Sequence, residues 1–179
     1  MAREFTVDGP TFAEAQAFHP VAEESMSTTV RLLVDVKNEK PLYEEVHVED
    51  RGAGTYRLLQ SPGFVLDLAA DDVFRLEPAG TFKLLQRGGN VAIQMFSDHP
   101  VDHAEPLISA ELTQIGARLD GRMTKQLVYT VSAKMGFPEI ERVVKDVAMK
   151  FPLIEWYYGN VYDPVDGVTP LNWWLDPTV

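Results

Sequence analysis

The sequence of 179 residues contains no cysteine and comparatively few basic side chains, and each shortage excludes a class of function. Without cysteine there are no disulfides, no thiolate metal sites and no cysteine nucleophile. Lys and Arg number 16 against 27 Asp and Glu, which gives a net charge of −11. Nucleic acids and anionic membrane surfaces are bound through basic faces, so this acidity argues against both as partners.

Long apolar runs and familiar catalytic motifs are also absent from the sequence. No stretch approaches the roughly 18 continuous apolar residues of a membrane-spanning helix. The first residues lack a basic region followed by an apolar run, so no secretory signal is predicted and we expect a cytoplasmic protein. The motifs G-x-S-x-G, G-x-G-x-x-G and H-E-x-x-H and a phosphate-binding loop are missing, which favours a non-enzymatic role without a cofactor.

Turn residues and shifts in composition divide the chain into four predicted segments. Residues 1–27 are expected to form a partly ordered leader. Residues 28–88 are expected to form an all-β module, and residues 89–162 a module of strands and helices. Residues 163–179 form a carboxyl-terminal tail rich in aromatic and acidic side chains.

Residues 28–88 are punctuated by glycine, proline and asparagine, as short strands with tight turns are. Val46 and Val48 alternate with charged neighbours, which is the period of a half-buried strand. Five strands within about sixty residues predict a small antiparallel barrel or rolled sheet, with an open meander as the alternative. The predicted strands cover residues 30–36, 43–49, 55–60, 72–77 and 81–86.

Residues 89–162 carry the strongest helical pattern. After Pro138, apolar residues recur with helical spacing from Ile140 to Phe151, and a shorter stripe predicts a helix over residues 104–115. The element order β-α-β-β-α-β is that of the ferredoxin-like fold. The predicted fold class is therefore α+β, a small antiparallel β-barrel-like module followed by a ferredoxin-like module. The strands of this second module are predicted over residues 90–96, 118–124, 127–133 and 153–161.

The order of features in the middle of the chain resembles a known bacterial family. An acidic strand at residues 44–49 precedes the segment Gly-Thr-Tyr-Arg-Leu at 54–58, a Pro-Gly-Phe loop at 62–64 and Asp71-Asp72-Val73. This order is similar to that of the family known as domain of unknown function 4265, and the likeness spans about residues 30–160. His47 departs from the family's usual aromatic residue at that place. The resemblance implies no activity and no cofactor, and it fits small acidic proteins encoded beside toxins.

One short segment offers side chains for a metal. Asp98, His99, Asp102 and His103 form two Asp-His pairs four residues apart, and imidazoles with carboxylates are ligands for zinc or a redox metal. Pro100 and Pro106 make the segment a loop, so the facing of the pairs is not fixed by helical spacing. The alternative is ordinary acidity at the first turn of a helix.

The carboxyl-terminal segment is the most unusual part of the sequence. No Lys or Arg follows Lys150, whereas tryptophan, tyrosine and acidic residues accumulate. Amphipathic rings with carboxylates are typical of a surface that binds a protein. In the alternative, Trp156 and Tyr158 face the two sides of the sheet, while Trp173 and Trp174 dock the tail on the barrel. The residues predicted to bind a partner are Glu155, Trp156, Tyr158, Tyr162, Asp163, Asp166, Trp173 and Trp174.

These observations support one main hypothesis and two alternatives. The main hypothesis is a non-catalytic binding protein, in concrete form a bacterial immunity protein or antitoxin that neutralises a basic toxin by stoichiometric association. The first alternative is a metal-dependent enzyme or regulator that uses the cluster at residues 98–103. The second is a small-molecule sensing module.

Overall fold

Two antiparallel sheets and two α-helices form a mixed α+β fold in the part of the chain that the computed structural model describes, residues 27–176 and 179. The predicted leader lies outside the described residues except for Ser27. The first sheet consists of β1 (Ser27–Lys37), β2 (Lys40–Asp50), β3 (Thr55–Leu58), β4 (Val73–Leu76) and β5 (Phe82–Gln86). The second half consists of β6 (Asn90–Ser97), α1 (Glu105–Leu112), β7 (Arg118–Met123), β8 (Gln126–Ser132), α2 (Phe137–Lys150) and β9 (Ile154–Tyr158).

The first sheet is an open meander in which each strand pairs with the next along the chain. The strands β1 and β2 have 11 residues each, whereas β3 and β4 have 4. Closing a barrel requires the first and last strands to pair. Within the described residues β1 and β5 do not pair with each other and are the two edges of the sheet. The predicted barrel-like closure is therefore not formed, and the meander alternative describes the sheet.

Alternation along the strands directs one face of the first sheet inward. Val46 and Val48 of β2 are buried, whereas Glu45 and His47, which alternate with them, are exposed. Because successive side chains of a strand point to opposite faces, the pattern predicted from the sequence places the core on one side. This core consists of Leu32, Val46, Val48, Leu58, Val65, Leu68 and Phe74.

The second sheet has the strand order β7-β8-β6-β9 with antiparallel neighbours. In α2 the residues Ile140, Val143, Val144 and Val147 are buried, as the sequence pattern predicts. The helix α1 ends at Leu112, before a short tight turn and Gly116 at a φ of 72°, and is therefore shorter than predicted. Both helices pack against one face of this sheet. Neither described helix has the length and apolar character that crossing a membrane requires.

The connection between β3 and β4, residues 59–72, joins the two sheets. Most of its residues between 61 and 70 are buried although they form no strand or helix. The side-chain amides of Gln94 and Gln126 donate to the carbonyl oxygens of Pro62 and Gly63 at 2.8 and 2.5 Å. The amide of Asp67 donates to the carbonyl of Gly159 at 2.7 Å. These bonds place the connection on the second sheet.

Carboxylates satisfy the remaining amides of this connection. Both oxygens of Glu44 accept from three successive backbone amides at residues 63–65, at 2.6 to 2.9 Å. The amide of Ser61 donates to Asp120 at 2.7 Å, and the Ser61 hydroxyl lies 2.5 Å from that of Thr130, which donates to the same carboxylate. A buried irregular segment needs such partners, because its amides form none of the backbone hydrogen bonds of a strand or helix.

Two glycines provide a matched test of how closely residue 88 approaches the connection between β3 and β4. A Cβ at residue 88 would lie 2.5 Å from the carbonyl carbon of Asp71, whereas a Cβ at residue 121 would lie 3.7 Å from Val128. We expect Gly88→Ala to lower the free energy of unfolding by about 1–3 kcal/mol through overpacking. Gly121→Ala, the control, is expected to change it by less than about 1 kcal/mol. Urea unfolding followed by circular dichroism measures both, and equal stability of the two variants would contradict the predicted clash.

Candidate functional site

The residues predicted to bind a partner fall into three sets according to their exposure. Glu155, Tyr162 and Asp166 are exposed, and Asp163 is half-buried. Trp156, Trp173 and Trp174 are half-buried and pack against the core of the second sheet. Tyr158 is buried at 7% exposure. The carboxylates and Tyr162 are therefore accessible, whereas most of the ring surface serves packing.

Tyr158 is the member of this set that the structure places in the core. It lies two residues after Trp156 on β9, so both rings are on the face that the helices cover. The rings meet edge to face with centroids 5.2 Å apart. Burial raises the pKa of the Tyr158 hydroxyl well above its usual value. A partner surface that includes Tyr158 is therefore wrong, and so is the alternative with Trp156 and Tyr158 on opposite sides of the sheet.

The two adjacent tryptophans fasten the tail to the second sheet. The indole Nε1 of Trp173 donates to the carbonyl of Asn160 at 2.6 Å, and the ring of Trp174 lies 4.7 Å from that of Phe137 on α2. The guanidinium of Arg87 lies 5.5 Å from the centroid of the Trp173 ring, within the range of a cation–π contact. The two tryptophans therefore dock the tail, as the alternative predicts. They dock it on the second sheet, whereas the alternative placed it on the barrel of the first module.

Between Tyr162 and the tryptophans, residues 163–169 form a tightly hydrogen-bonded loop. Oδ1 of Asp163 accepts from the amide of Val165 at 2.7 Å. Oδ1 of Asp166 accepts from the amides of Val168 and Thr169, each at 2.8 Å, and Oδ2 accepts from the Thr169 hydroxyl at 2.5 Å. These hydrogen bonds, that of the Thr169 hydroxyl foremost, hold the pKa of Asp166 below its usual value. The loop is thus built around two carboxylates, and the lowered pKa favours the ionised form of Asp166.

The same loop exposes two valines that the sequence analysis did not select. The exposed fractions are 94% for Val165 and 73% for Val168. Single exposed apolar residues are normal on protein surfaces, but two on one hydrogen-bonded loop form a compact apolar tip. The available signal was the spacing of Asp163 and Asp166 before Gly167, because side-chain carboxylates at that spacing favour a turn in which intervening residues face solvent. We call residues 163–169 the acidic loop.

A second surface feature also lay outside the predicted set. Tyr157 of β9 stacks on Phe96 of β6 with centroids 5.2 Å apart and an interplanar angle of 9°. The ring of Phe64, from the connection between β3 and β4, lies 6.3 Å from that of Phe96. Tyr157 and Phe64 are exposed, at 42% and 44%. No sequence spacing relates these three rings, because separate elements bring them together.

The candidate metal ligands are not gathered into a site. Asp98, His99, Asp102 and His103 are all exposed, and Asp102 lies 3.6 Å from Arg122 in a surface ion pair. Among the described residues, no three His, Asp or Glu side chains are arranged to hold a metal ion. In this segment the amide of His99 donates to the hydroxyl of Ser97 at 3.1 Å, which shapes the loop.

Beneath the tail, Arg87 joins two carboxylates of the connection between β3 and β4. It pairs with Asp67 and, at 3.2 Å, with Asp72, and the Arg87 side chain is only 9% exposed. Asp72 is fully buried and also accepts from the amides of Ala69 and Gly88 at 2.9 and 2.7 Å. Burial raises the pKa of Asp72 to about 6, although the amides and Arg87 favour its charged form.

Comparisons with known proteins give a family and a fold. The family described as "Domain of unknown function (DUF4265)" matches residues 44–151, which is more than half of the chain. A crystal structure of a hypothetical protein from Neisseria gonorrhoeae is similar, with a TM-score of 0.57 and 14% sequence identity. The likeness covers 75% of this chain and 94% of that chain, and at this identity it concerns the fold alone. No curated protein matches the sequence.

The ion pair of Arg87 with Asp72 leads to a prediction about how the free energy of unfolding depends on pH. Because the pKa of Asp72 is raised above its ordinary 3.8 to about 6, folding favours the protonated carboxyl, and that stability is lost as the pH rises through 6. In Arg87→Met we expect a loss of about 3 kcal/mol at pH 8, where the buried carboxylate has no counter-ion. The loss should be smaller at pH 5.5, where the carboxyl takes up a proton.

Urea unfolding at the two pH values tests this prediction. Arg142→Met is the control, because Arg142 pairs with Glu139 and Asp146 on the exposed face of α2. Exposed pairs contribute less than about 1 kcal/mol, so this control should change little at either pH. An equal loss at both pH values in Arg87→Met would show that Asp72 does not titrate as described.

Proposed function

The chain belongs to the DUF4265 family, and we propose that this member is a non-catalytic protein-binding protein whose carboxyl-terminal surface associates with a basic partner. The concrete form is a bacterial immunity protein or antitoxin that neutralises a toxin in the cytoplasm by stoichiometric binding. The observation that carries the proposal is the acidic loop, which combines exposed valines with carboxylates.

The charge distribution supports a basic partner. No Lys or Arg follows Lys150, and Glu155, Asp163, Asp166 and Asp176 lie in this part of the chain. Complementary charge accelerates encounter and excludes anionic competitors, while affinity depends on contacts in the centre of an interface. The valines supply apolar surface for such a centre, and the carboxylates supply the polar rim that typically surrounds it.

Preorganisation supports the same proposal. Ordering a flexible loop on binding costs part of the interaction free energy. In the acidic loop, side-chain bonds from Asp163 and Asp166 and the bond from the amide of Gly167 to the carbonyl of Asp163, at 2.8 Å, already fix the backbone. Tyr162 and Pro170 close the loop with a bridge between its two ends. The tip can therefore meet a partner with little further ordering.

Trp173 and Trp174 hold the tail, which carries the acidic loop, against the second sheet. Trp173 and Trp174 join the tail to the second sheet, and their rings meet edge to face 5.6 Å apart. They remain half-buried, so part of each ring faces solvent. Amphipathic rings of this kind are common anchors in protein interfaces. We propose that they position the acidic loop and border the contact.

We also propose that the second sheet and its helices form a ferredoxin-like unit. The strand order β7-β8-β6-β9 supports this, because the first and third strands of the unit, β6 and β8, are central and all neighbours are antiparallel. In this arrangement the two ends of β9 lead to different parts of the molecule. Its carboxyl-terminal end leads to the acidic loop, and its amino-terminal end follows α2.

Site-directed photo-crosslinking tests whether the acidic loop contacts a protein. A photoreactive benzoylphenylalanine replaces Val165, and the control carries it at Val36, which is 55% exposed on the hairpin of β1 and β2. In the cells that encode the chain, we expect one basic protein to be linked from residue 165 and not from residue 36. With that protein purified, Val165→Ser/Val168→Ser should raise the dissociation rate about tenfold. Absence of a specific product from residue 165 would contradict the proposed surface.

A pair of charge reversals tests the electrostatic part of the proposal. Glu155→Lys changes an exposed residue of β9 that is predicted to bind the partner, and Glu45→Lys makes the same charge change on the exposed face of the first sheet. We expect the first variant to slow association with the captured partner several-fold at low salt, and the second to change it less than about twofold. Stopped-flow association at two salt concentrations measures both. Equal slowing would mean that overall charge, not this surface, guides the encounter.

A further inference from the structure

An apolar cavity of about 240 Å³ lies at the other end of β9, away from the acidic loop. It opens between the connection from β6 to α1 and the connection from α2 to β9. Val101, Ala104, Phe151, Pro152 and Ile154 form much of its wall. Val101 and Ile154 are 2% and 8% exposed and belong to the core of the second sheet. The wall is therefore part of the packed body of the molecule.

The volume limits what this cavity can hold. A cavity of about 150 Å³ lined by aliphatic and aromatic side chains is large enough for benzene. Pockets for drug-sized ligands usually measure about 300–1,000 Å³. A volume of about 240 Å³ therefore suits one six-membered ring with a small substituent or a short branched chain. Nucleotides and larger cofactors do not fit.

The charge around the opening selects among such molecules. Lys150 and His99 line the cavity, and no carboxylate does. In a chain with a net charge of −11, this is a place where an ammonium and an imidazole meet an apolar wall. Nζ of Lys150 donates to Glu111 at 2.6 Å; the Lys150 side chain is 53% exposed and that of Glu111 is half-buried, at 33%. An ion pair of this exposure is weak, so the ammonium can turn to an anionic ligand at small cost.

We propose that this cavity is a binding site for a small apolar carboxylate, whose hydrocarbon part lies against Val101, Ala104 and Ile154 while its charge faces Lys150 and His99. The site is separate from the acidic loop, so the proposal does not depend on the proposed function. The proposal assigns a class of small-molecule ligand to the cavity beside the second sheet.

Titration with benzoate, followed by ¹H–¹⁵N correlation spectra of the full chain, tests the proposal. We expect saturable shifts of the amides of Val101, Ala104 and Ile154. Benzyl alcohol and benzylamine have the same ring with neutral and positive substituents. Benzoate should bind several-fold more tightly than the alcohol and at least tenfold more tightly than the amine. Equal binding of benzoate and benzylamine would overturn the assignment of an anionic ligand.

Two variants, one immediately before α1 and one within it, test the location. Ala104→Leu adds a side chain to the cavity wall, and Ala110→Leu makes the same change at an exposed position. The first should weaken benzoate binding at least tenfold and the second less than twofold, with spectra that confirm both are folded. His99→Gln/Lys150→Gln should bring benzoate to the affinity of benzyl alcohol. Unchanged binding in Ala104→Leu, or no saturable shift in the unmodified chain, would overturn the site.

Discussion

The structure depends on satisfying the backbone of one buried irregular segment, the connection between β3 and β4. An antiparallel sheet covered by helices on one face needs something on the other, and here residues 61–70 supply it. A strand or helix would satisfy its own amides and carbonyls, whereas this segment relies on side chains from both sheets. Glu44, Asp120, Gln94 and Gln126 have that role, and Asp72 adds a carboxylate from the connection itself. The two sheets are held together by these bonds more than by any strand-to-strand contact.

This arrangement changes the meaning of the chain's acidity. Several carboxylates that count toward the net charge lie inside, where amides and arginines neutralise them, and so contribute little to the field at the surface. Asp72, beside Arg87, is one example, and Asp120, whose side chain is 1% exposed and pairs with Arg118, is another. Among the residues predicted to bind a partner, Glu155 and Asp166 are acidic and exposed. The net charge calculated from composition therefore overstates the negative charge at the surface.

Local periodicity was sufficient to predict the strands and both helices, because burial of one face imposes a period that the sequence displays, as in α2. It failed where a contact joins distant residues. The bond from Gln126 to Gly63 and the stack of Tyr157 on Phe96 have no signature in spacing. For the site, the acidic and aromatic composition selected the carboxyl-terminal residues, but alternation along β9 decides which of their rings are accessible. Tyr158 was misassigned because its exposure depends on which face the helices cover.

The positions of the tryptophans have a consequence for spectroscopy. All three, Trp156, Trp173 and Trp174, pack against the core of the second sheet, and the first sheet contains none. Indole emission therefore reports on only half of the molecule, and on the attachment of the tail in particular. The guanidinium beside Trp173 makes that ring sensitive to the junction between the sheets. Fluorescence and far-ultraviolet dichroism, recorded together, would reveal whether the halves melt as one cooperative body.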